Sequence, residues 1–341
     1  MNTESQVERR GILAAGNWIV DHVKVIDTYP YQDALSFILE HSKSNGGGPY
    51  NLLKDFVSLG VDFPLRASGL VGDDDDGNWI IKDCLDSGID ASGLIKTNLA
   101  STSYTDAMSV LSTGRRTFFH HEGANSLFDK KSVNLSVGDN KYFYLGYLLL
   151  LESLDKVREN GRTGASELLS KASNSGFINI VDLVSAQLGD YQSVILPSLP
   201  EIDVLFLNEF EAGSLLASEV KDSDLRSLLN AARNVLDMGV RHSVVLHSSS
   251  GAVAVSSSGD TAFGGSVKLP KEMIKGAAGA GDVFAAGFIM AMDKSETLNE
   301  CIRYGVCSAA SCLLDPTTSG GVMLIGDCLN LGEEHGFRTL N

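Results

Sequence analysis

Residues 279–284, Gly279-Ala280-Gly281-Asp282-Val283-Phe284, are the most informative segment of the chain. Three small residues precede one carboxylate, and an apolar helical run over residues 283–292 follows. Small residues let backbone N–H groups approach a ligand closely, and the positive end of the following helix favours an anion at the same place. An anion hole beside a base is what phosphoryl transfer to an alcohol requires, which makes Asp282 a candidate base. The alternative is a tight turn in which Asp282 only caps the helix.

Composition limits the classes of partner. The chain has 341 residues, of which 43% are hydrophobic, enough for one large α/β domain or two smaller ones. Its net charge of -16 argues against nucleic acid or an anionic membrane surface as a partner, because such binders carry basic patches. The longest apolar run, residues 143–151, is too short to span a bilayer. The five cysteines contain no CxxC pair and are expected to be buried, reduced thiols, as in a cytoplasmic protein.

Apolar runs alternate with helical stretches from residue 142 onward. The predicted strands are 142–145, 177–181, 204–207 and 243–246, and the predicted helices are 165–173, 209–218, 224–238, 280–292 and 298–313. Near-continuous apolar strands that alternate with helices predict a parallel sheet covered on both faces. We therefore expect a Rossmann-like three-layer α/β/α sandwich that forms a single domain over residues 1–341. Two early β-rich pieces, about 18–30 and 103–121, do not fit the alternation and are predicted to form a small lid of strands.

Two further groups of polar residues are suited to ligands. Asn208 and Glu211 follow the predicted strand 204–207 and stand three apart on a first helical turn, where they could hold Mg²⁺-bound water and phosphate or simply cap the helix. The segment Gly46-Gly47-Gly48-Pro49-Tyr50-Asn51 offers bare backbone and one amide to a polar small molecule, although it also fits a flexible loop. Asp21, after the first strand, is a candidate acceptor for hydroxyl groups or a solvated carboxylate.

In this order, the motifs resemble those of the PfkB/ribokinase family of carbohydrate kinases, over nearly the whole chain. The segments that carry the resemblance are 16–21, 46–51, 72–77, 208–211 and 279–282. The resemblance implies a ribokinase-like fold with a β-lid over a sugar. It also implies phosphorylation of a hydroxymethyl group that depends on ATP and Mg²⁺.

The resemblance also implies roles for individual residues. Asp282 corresponds to the catalytic base, and the residues before it correspond to the anion hole. The implied anion-hole residues are Gly279, Ala280 and Gly281; the implied sugar-binding residues are Asp21, Gly46, Gly47 and Asn51; the residues implied on the nucleotide side are Asn208, Glu211, Ser248 and Gly251. Mg²⁺ would be held through water near Asn208 and Glu211, with no direct protein ligand.

Two segments depart from the pattern of the family. Members usually carry Asp-Thr-x before the GAGD motif, and that aspartate is associated with a monovalent-cation site; here Gly276-Ala277-Ala278 stands there, so strong activation by K⁺ is not expected. The usual Thr-x-Gly-x-x-Gly loop on the nucleotide side reads Leu246-His247-Ser248-Ser249-Ser250-Gly251, of which only Gly251 and the loop character remain. Arg115 and Arg116, in a predicted hairpin turn, are expected to be solvated.

The sequence leaves three activities open. The first is a sugar kinase, the second is a nucleoside kinase on the same fold, and the third is a sugar- or nucleotide-binding protein without kinase activity, which the altered nucleotide-side loop favours. Discrimination among acceptors rests on a few lid and pocket side chains. An exposed lid sheet favours pairing with the lid of a second copy, so a homodimer is expected.

Overall fold

Two sheets contain the strands of this computed structural model, which describes residues 9–113, 115–136, 140–186 and 190–340. The strands are β1 Ile12–Gly16, β2 Ile19–Ile26, β3 Ile38–Gly46, β4 Leu65–Gly72, β5 Asp90–Thr97, β6 Ser103–Val110, β7 Arg116–His121, β8 Tyr142–Gly146, β9 Ile178–Asp182, β10 Val204–Asn208, β11 Ser243–Ser248, β12 Gly251–Ser256 and β13 Thr261–Gly265. The helices are α1 Gly48–Leu59, α2 Asp75–Asp86, α3 Glu152–Asp155, α4 Gly164–Asn174, α5 Tyr191–Ile195, α6 Glu209–Leu216, α7 Leu225–Asp237, α8 Ala280–Asp293, α9 Leu298–Cys312 and α10 Ile325–His335.

The large sheet has nine strands in the order β13-β12-β11-β10-β9-β8-β1-β4-β5. Its strands pair in parallel from β5 to β11, and β12 and β13 complete one edge in antiparallel pairing. Alternate residues of β1 pack into two different apolar clusters, Ile12 and Ala14 on one face and Leu13 and Ala15 on the other. The predicted α/β/α sandwich is therefore confirmed.

Strand order reverses at β1, which lies between β8 and β4 although both follow it in the chain. In open α/β sheets, ligands bind beside the carboxyl ends of the strands at such a switch point. The helices α1 and α8 contact each other on one face of this region. A ligand site is therefore expected at the residues that follow β1 and β8 and at the beginnings of α1 and α8.

The smaller sheet is the lid, with four strands in the order β3-β2-β6-β7. The predicted lid segments contain β2, β6 and β7 but leave out β3. Residues Ile38–Gly46 are mostly polar and exposed, so no run of apolar residues marks them as a strand. Gly46 ends β3 and α1 begins at Gly48, so the glycine segment joins the lid directly to a core helix.

Two further local features were not predicted above. The acidic segment 72–77 contains the start of α2 at Asp75, because the Asp74 side chain accepts a hydrogen bond from the backbone N–H of Gly77 and caps the helix. A third helix, α10, follows the two that were predicted to close the chain. Its two glycines, Gly326 and Gly332, weaken the helical signal in the sequence.

The structure also bears on the expected environment of the protein. All five cysteines are free and buried, as predicted. The cytoplasmic location inferred from them stays a prediction. Within the described ranges, no helix is both long enough and apolar enough to cross a membrane.

Candidate active site

The first turn of α8 is fixed by a glycine. Gly279 precedes the helix with a φ of 79°, a left-handed conformation that favours glycine. A methyl group on Gly279 would also lie 2.4 Å from the backbone oxygen of Thr318. The N–H groups of a first helical turn have no partner within the helix. In α8, these groups follow directly after Gly279, so its close contact with Thr318 lies beside them. The geometry of this first turn, the predicted anion hole, therefore depends on the absence of a side chain at Gly279.

Asp282, the third residue of α8, is buried with 5% of its surface exposed. The side-chain amide of Asn51 donates to its Oδ2 at 2.9 Å, and the hydroxyl of Tyr147 donates to its Oδ1 at 2.5 Å. The orientation of Asn51 is set by Asn45, whose Nδ2 donates to the Asn51 Oδ1 at 2.7 Å. The backbone N–H of Tyr147 donates to the side-chain oxygen of Asn17. Both donors to the carboxylate are thus held in place by other buried polar groups.

Burial raises the pKa of Asp282 to about 6, against the lowering effect of the hydrogen bonds from Tyr147 and Asn51. Two other buried carboxyl groups belong to the same region. Burial, and then the charge of Asp282, raises the pKa of Asp182 well above its ordinary value. Burial also raises the pKa of Asp55 in α1. Of these three carboxyl groups, Asp282 is the one in the first turn of a helix, where the positive end of α8 also favours its ionised form.

The lid brings Asp21 to the same site. A methyl group on Gly46 would lie 2.4 Å from the Asp21 Oδ1, so the strand β3 can pass the carboxylate only with glycine at that position. Burial raises the pKa of Asp21 to about 7, a hydrogen bond from Thr105 opposes this rise, and the charge of Asp282 adds to it. Gly47 has a φ of 87°, and a methyl group on it would lie 2.3 Å from the backbone oxygen of Asn17.

The four residues predicted to bind sugar therefore lie close to Asp282 and to one another. Asn51 contacts Asp282 directly, Gly46 contacts Asp21, and Gly47 packs on the residues after β1. Polar groups from the lid, from α1 and from α8 face a common space. Such an arrangement is suited to a small molecule with several hydroxyl groups.

A cavity of about 460 Å³ lies at the carboxyl ends of β10 and β11. Three of the residues predicted on the nucleotide side, Asn208, Ser248 and Gly251, are among those that line it, and it meets the start of α8 at Ala280 and Gly281. Its apolar side is lined by Phe284, Val306, Ala309, Ala310 and Leu313. The volume lies within the range of small-molecule sites in proteins.

Asn208 and Glu211 form the capping arrangement that was the alternative interpretation of their spacing. The backbone N–H of Glu211 donates to the Asn208 side chain at 2.9 Å, and the backbone N–H of Asn208 donates to Glu211 at 2.8 Å. The hydroxyl of Ser185 also donates to Glu211 at 2.9 Å. Burial raises the pKa of Glu211 to about 7. Among the described residues, no group of three or more His, Cys, Asp or Glu side chains is arranged to hold a metal ion.

Three residues of the site were not found from the sequence. Tyr147 follows β8 at the sheet edge where ligands bind, and that position was the available signal. His247 is the last residue but one of β11 and lines the cavity; burial lowers its pKa to about 4, so its imidazole is neutral at pH 7. Arg116, which was expected to be solvated, is half-buried, and its guanidinium donates to the backbone oxygen of Pro316. Arg115 is exposed, as predicted.

Comparison with known proteins agrees with this geometry. Residues 15–322 match the model of the pfkB family carbohydrate kinases. A 5-dehydro-2-deoxygluconokinase of Geobacillus kaustophilus is 22% identical over 90% of this chain and 88% of its own length. The ribokinase of Arabidopsis thaliana, solved with ribose and ATP, shares the fold with a TM-score of 0.76, 18% identity and coverage of 95% of this chain and 98% of its own. Phosphofructokinase-2 of Escherichia coli, solved with potassium, also shares the fold, with a TM-score of 0.75 and 16% identity. The match covers 96% of this chain and 99% of that protein.

The fold, the site and the family match lead to one conclusion. The chain belongs to the pfkB family of carbohydrate kinases. It is therefore a phosphotransferase whose acceptor is an alcohol group of a carbohydrate.

The conformation of Gly279 generates a prediction about stability. We expect Gly279→Ala to lower the free energy of unfolding by about 2 kcal/mol or more, because alanine at this φ is strained and its methyl group meets the Thr318 oxygen. Urea denaturation measures the change. The matched control is Gly326→Ala in α10, where a methyl group meets nothing within 4 Å and is expected to stabilise by up to about 1 kcal/mol. Equal effects of the two substitutions would contradict the role of Gly279.

Proposed function

We propose that this kinase transfers the γ-phosphoryl group of ATP to a hydroxymethyl group of a small carbohydrate, with Asp282 as the general base. The observation that carries the proposal is the buried carboxylate of Asp282 in the first turn of α8, between the lid and the cavity. A pKa of about 6 leaves most of it ionised at pH 7 and still basic enough to accept a proton.

On the acceptor side, Asp21 and Asn51 supply hydrogen-bonding groups, and Gly46 and Gly47 leave backbone room for sugar hydroxyls. The attacking hydroxyl lies next to Asp282, which accepts its proton as the oxygen approaches phosphorus. The N–H groups of residues 279–282 and the positive end of α8 stabilise the charge that develops on the phosphoryl oxygens. The lid over the acceptor excludes water, which would otherwise compete as an acceptor.

On the donor side, the cavity beside Ala280 and Gly281 accommodates the nucleotide. Its apolar wall suits an aromatic base, and Asn208, Ser248 and Gly251 are among the residues that line it. The ribokinase of Arabidopsis thaliana, which binds ribose and ATP on the same fold, supports ATP as the donor. The cavity persists although the nucleotide-side loop departs from the family pattern.

Mg²⁺ belongs to the proposal as a group held through water. Both carboxylate oxygens of Glu211 already accept hydrogen bonds from Asn208, and one also accepts from Ser185, so the donor set fits water-mediated contact better than direct ligation. When bound, the ion would neutralise charge on the β and γ phosphates. Asn208 and Glu211 would orient its water molecules.

The test is a screen for ADP release with a panel of neutral sugars, sugar acids, sugar phosphates and nucleosides. We expect turnover with at least one carbohydrate. Asp282→Asn should reduce that turnover by about 10²–10⁴-fold, because the base is lost, while ATP binding stays within about threefold of that of the wild-type protein. Near-wild-type turnover by Asp282→Asn would contradict the assignment of the base. Turnover with nucleosides alone would favour a nucleoside kinase, and thermal stabilisation by ligands without ADP release would favour a binding protein.

The raised pKa of Asp282 predicts the pH dependence. The ionised form is active, so kcat/KM should fall about tenfold per pH unit as the pH drops below about 6. Tyr147→Phe removes a hydrogen bond that lowers this pKa, so the acidic limb should move to higher pH. Tyr31→Phe, at a side chain that is 90% exposed, should leave the profile unchanged. A rate that stays constant down to pH 4.5 would rule out Asp282 as the titrating base.

The homodimer also remains a proposal. The connection between β2 and β3 exposes Tyr31, Leu35 and Phe37, with 90, 76 and 66% of their surfaces accessible, and a second lid could cover them. Light scattering should give about twice the monomer mass of 36.3 kDa. Leu35→Glu should halve that mass, whereas Leu324→Glu, at an exposed leucine before α10, should not. A wild-type protein that is monomeric at micromolar concentration would refute the pairing.

A further inference from the structure

The lid and the segment between α9 and α10 are joined by a charged side chain beside the proposed anion hole. Arg116, the first residue of β7, donates an Nη2–H to the backbone oxygen of Pro316, 200 positions further along the chain. Pro316 lies in the segment that connects α9 to α10. In the same segment, the backbone oxygen of Thr318 packs against Gly279, where a methyl group would lie only 2.4 Å from it. Arg116 therefore holds a segment that contacts the anion hole.

The guanidinium lies over a glycine. A methyl group on Gly276 would be 3.1 Å from Nη2 of Arg116 and 3.1 Å from the backbone oxygen of Asp315. A side chain at position 276 would therefore press on the guanidinium and on the backbone of Asp315 and Pro316, which lies 3.0 Å away at its Cα. Position 276 is also where members of the family usually carry the aspartate associated with a monovalent cation. In this chain, the positively charged side chain of Arg116 lies where a carboxylate at position 276 would attract a monovalent cation.

The residues present do not fit a monovalent cation. Such an ion needs oxygen ligands without nearby positive charge; no carboxylate stands at position 276, and the carboxylate of the neighbouring Asp315 accepts hydrogen bonds from Thr317. The Pro316 oxygen already accepts a hydrogen bond from Arg116, whose guanidinium brings a positive charge to this place. A second cation in the same space would be repelled by it.

We propose that Arg116 takes the place of the monovalent cation: it is a positioning residue that the lid supplies and that holds the segment around Pro316 against the anion hole. The inference rests on the proposed role of residues 279–282 as that hole. Because the charge is attached to β7 and not dissolved in the medium, the anion hole is supported only when the lid lies over the site. Arg116 thereby makes phosphoryl transfer depend on the position of the lid and independent of K⁺.

The first test compares rates in KCl with rates in tetramethylammonium chloride at equal ionic strength. The wild-type protein should turn over at the same rate in both salts. Arg116→Ala should lower kcat at least tenfold and should recover part of that loss with millimolar guanidinium chloride, whereas Arg116→Lys, which keeps a charge, should lose less. The matched control is Arg115→Ala, which removes an exposed arginine from the neighbouring position and should behave like the wild-type protein.

Two outcomes would overturn the inference. One is activation of the wild-type protein by KCl of more than about twofold. The other is equal rates for Arg116→Ala and Arg115→Ala. If Arg116→Ala does not fold, Arg116→Lys decides instead: no loss of kcat together with activation by KCl would refute the assigned role.

The second test restores the carboxylate and removes the guanidinium in the double variant Gly276→Asp/Arg116→Ala. Its melting temperature should rise by several degrees in KCl relative to tetramethylammonium chloride, while that of the wild-type protein should not change. A double variant without this response would show that position 276 does not border a cation site and would refute the replacement. Melting needs neither an acceptor nor turnover, so this result stands even if the proposed kinase reaction fails, and the two failures are distinguishable.

Discussion

One ionisable carboxylate, that of Asp282, is buried at the start of a helix, and the residues around it compensate part of its charge. Taking a charge out of water is costly unless partners replace the solvent. The partners here are the N-terminus of α8, the amide of Asn51 and the hydroxyl of Tyr147. They compensate only in part, and the pKa stays about two units above that of an exposed aspartate. Incomplete compensation suits a base, because a fully stabilised carboxylate would have little affinity for a proton.

The sheet explains how the partners meet. The reversal of strand order at β1 opens a crevice at the carboxyl ends of β1 and β8, and α1 and α8 both begin there. Several carboxyl groups share this edge, and the charge of Asp282 helps to raise the pKa values of Asp21, Asp182 and Glu211. Each proton taken up by a neighbour makes it easier for Asp282 to remain ionised. The acidity of the base is therefore a property of the whole edge and not of one residue.

The sequence predicted the parts of the fold that rest on local patterns. The strands of the large sheet are continuous apolar runs, and the GAGD segment and the glycines at 46–48 carry their signals within a few residues. The strand β3 could not be predicted in this way, because its side chains are mostly polar. Its extended conformation is stabilised by antiparallel pairing with β2. Tyr147 and Arg116 were missed because their roles depend on contacts across 135 and 200 positions. Local patterns determine individual helices and strands, whereas the contacts of Tyr147 and Arg116 form only once the fold has brought distant segments together.

Asn51 and Asp282, which form one hydrogen bond, are separated by 231 positions. Because a protein is synthesised from its N-terminus, the lid, α1 and β8 leave the ribosome long before α8. Until α8 emerges, the helix α1 lacks a partner that it packs against, and the amide of Asn51 and the hydroxyl of Tyr147 can bind water instead of the carboxylate. A chain that ends before α8 therefore lacks both the carboxylate and the apolar face that buries it. The segment that carries α8 completes the candidate site and this part of the folded interior in the same event.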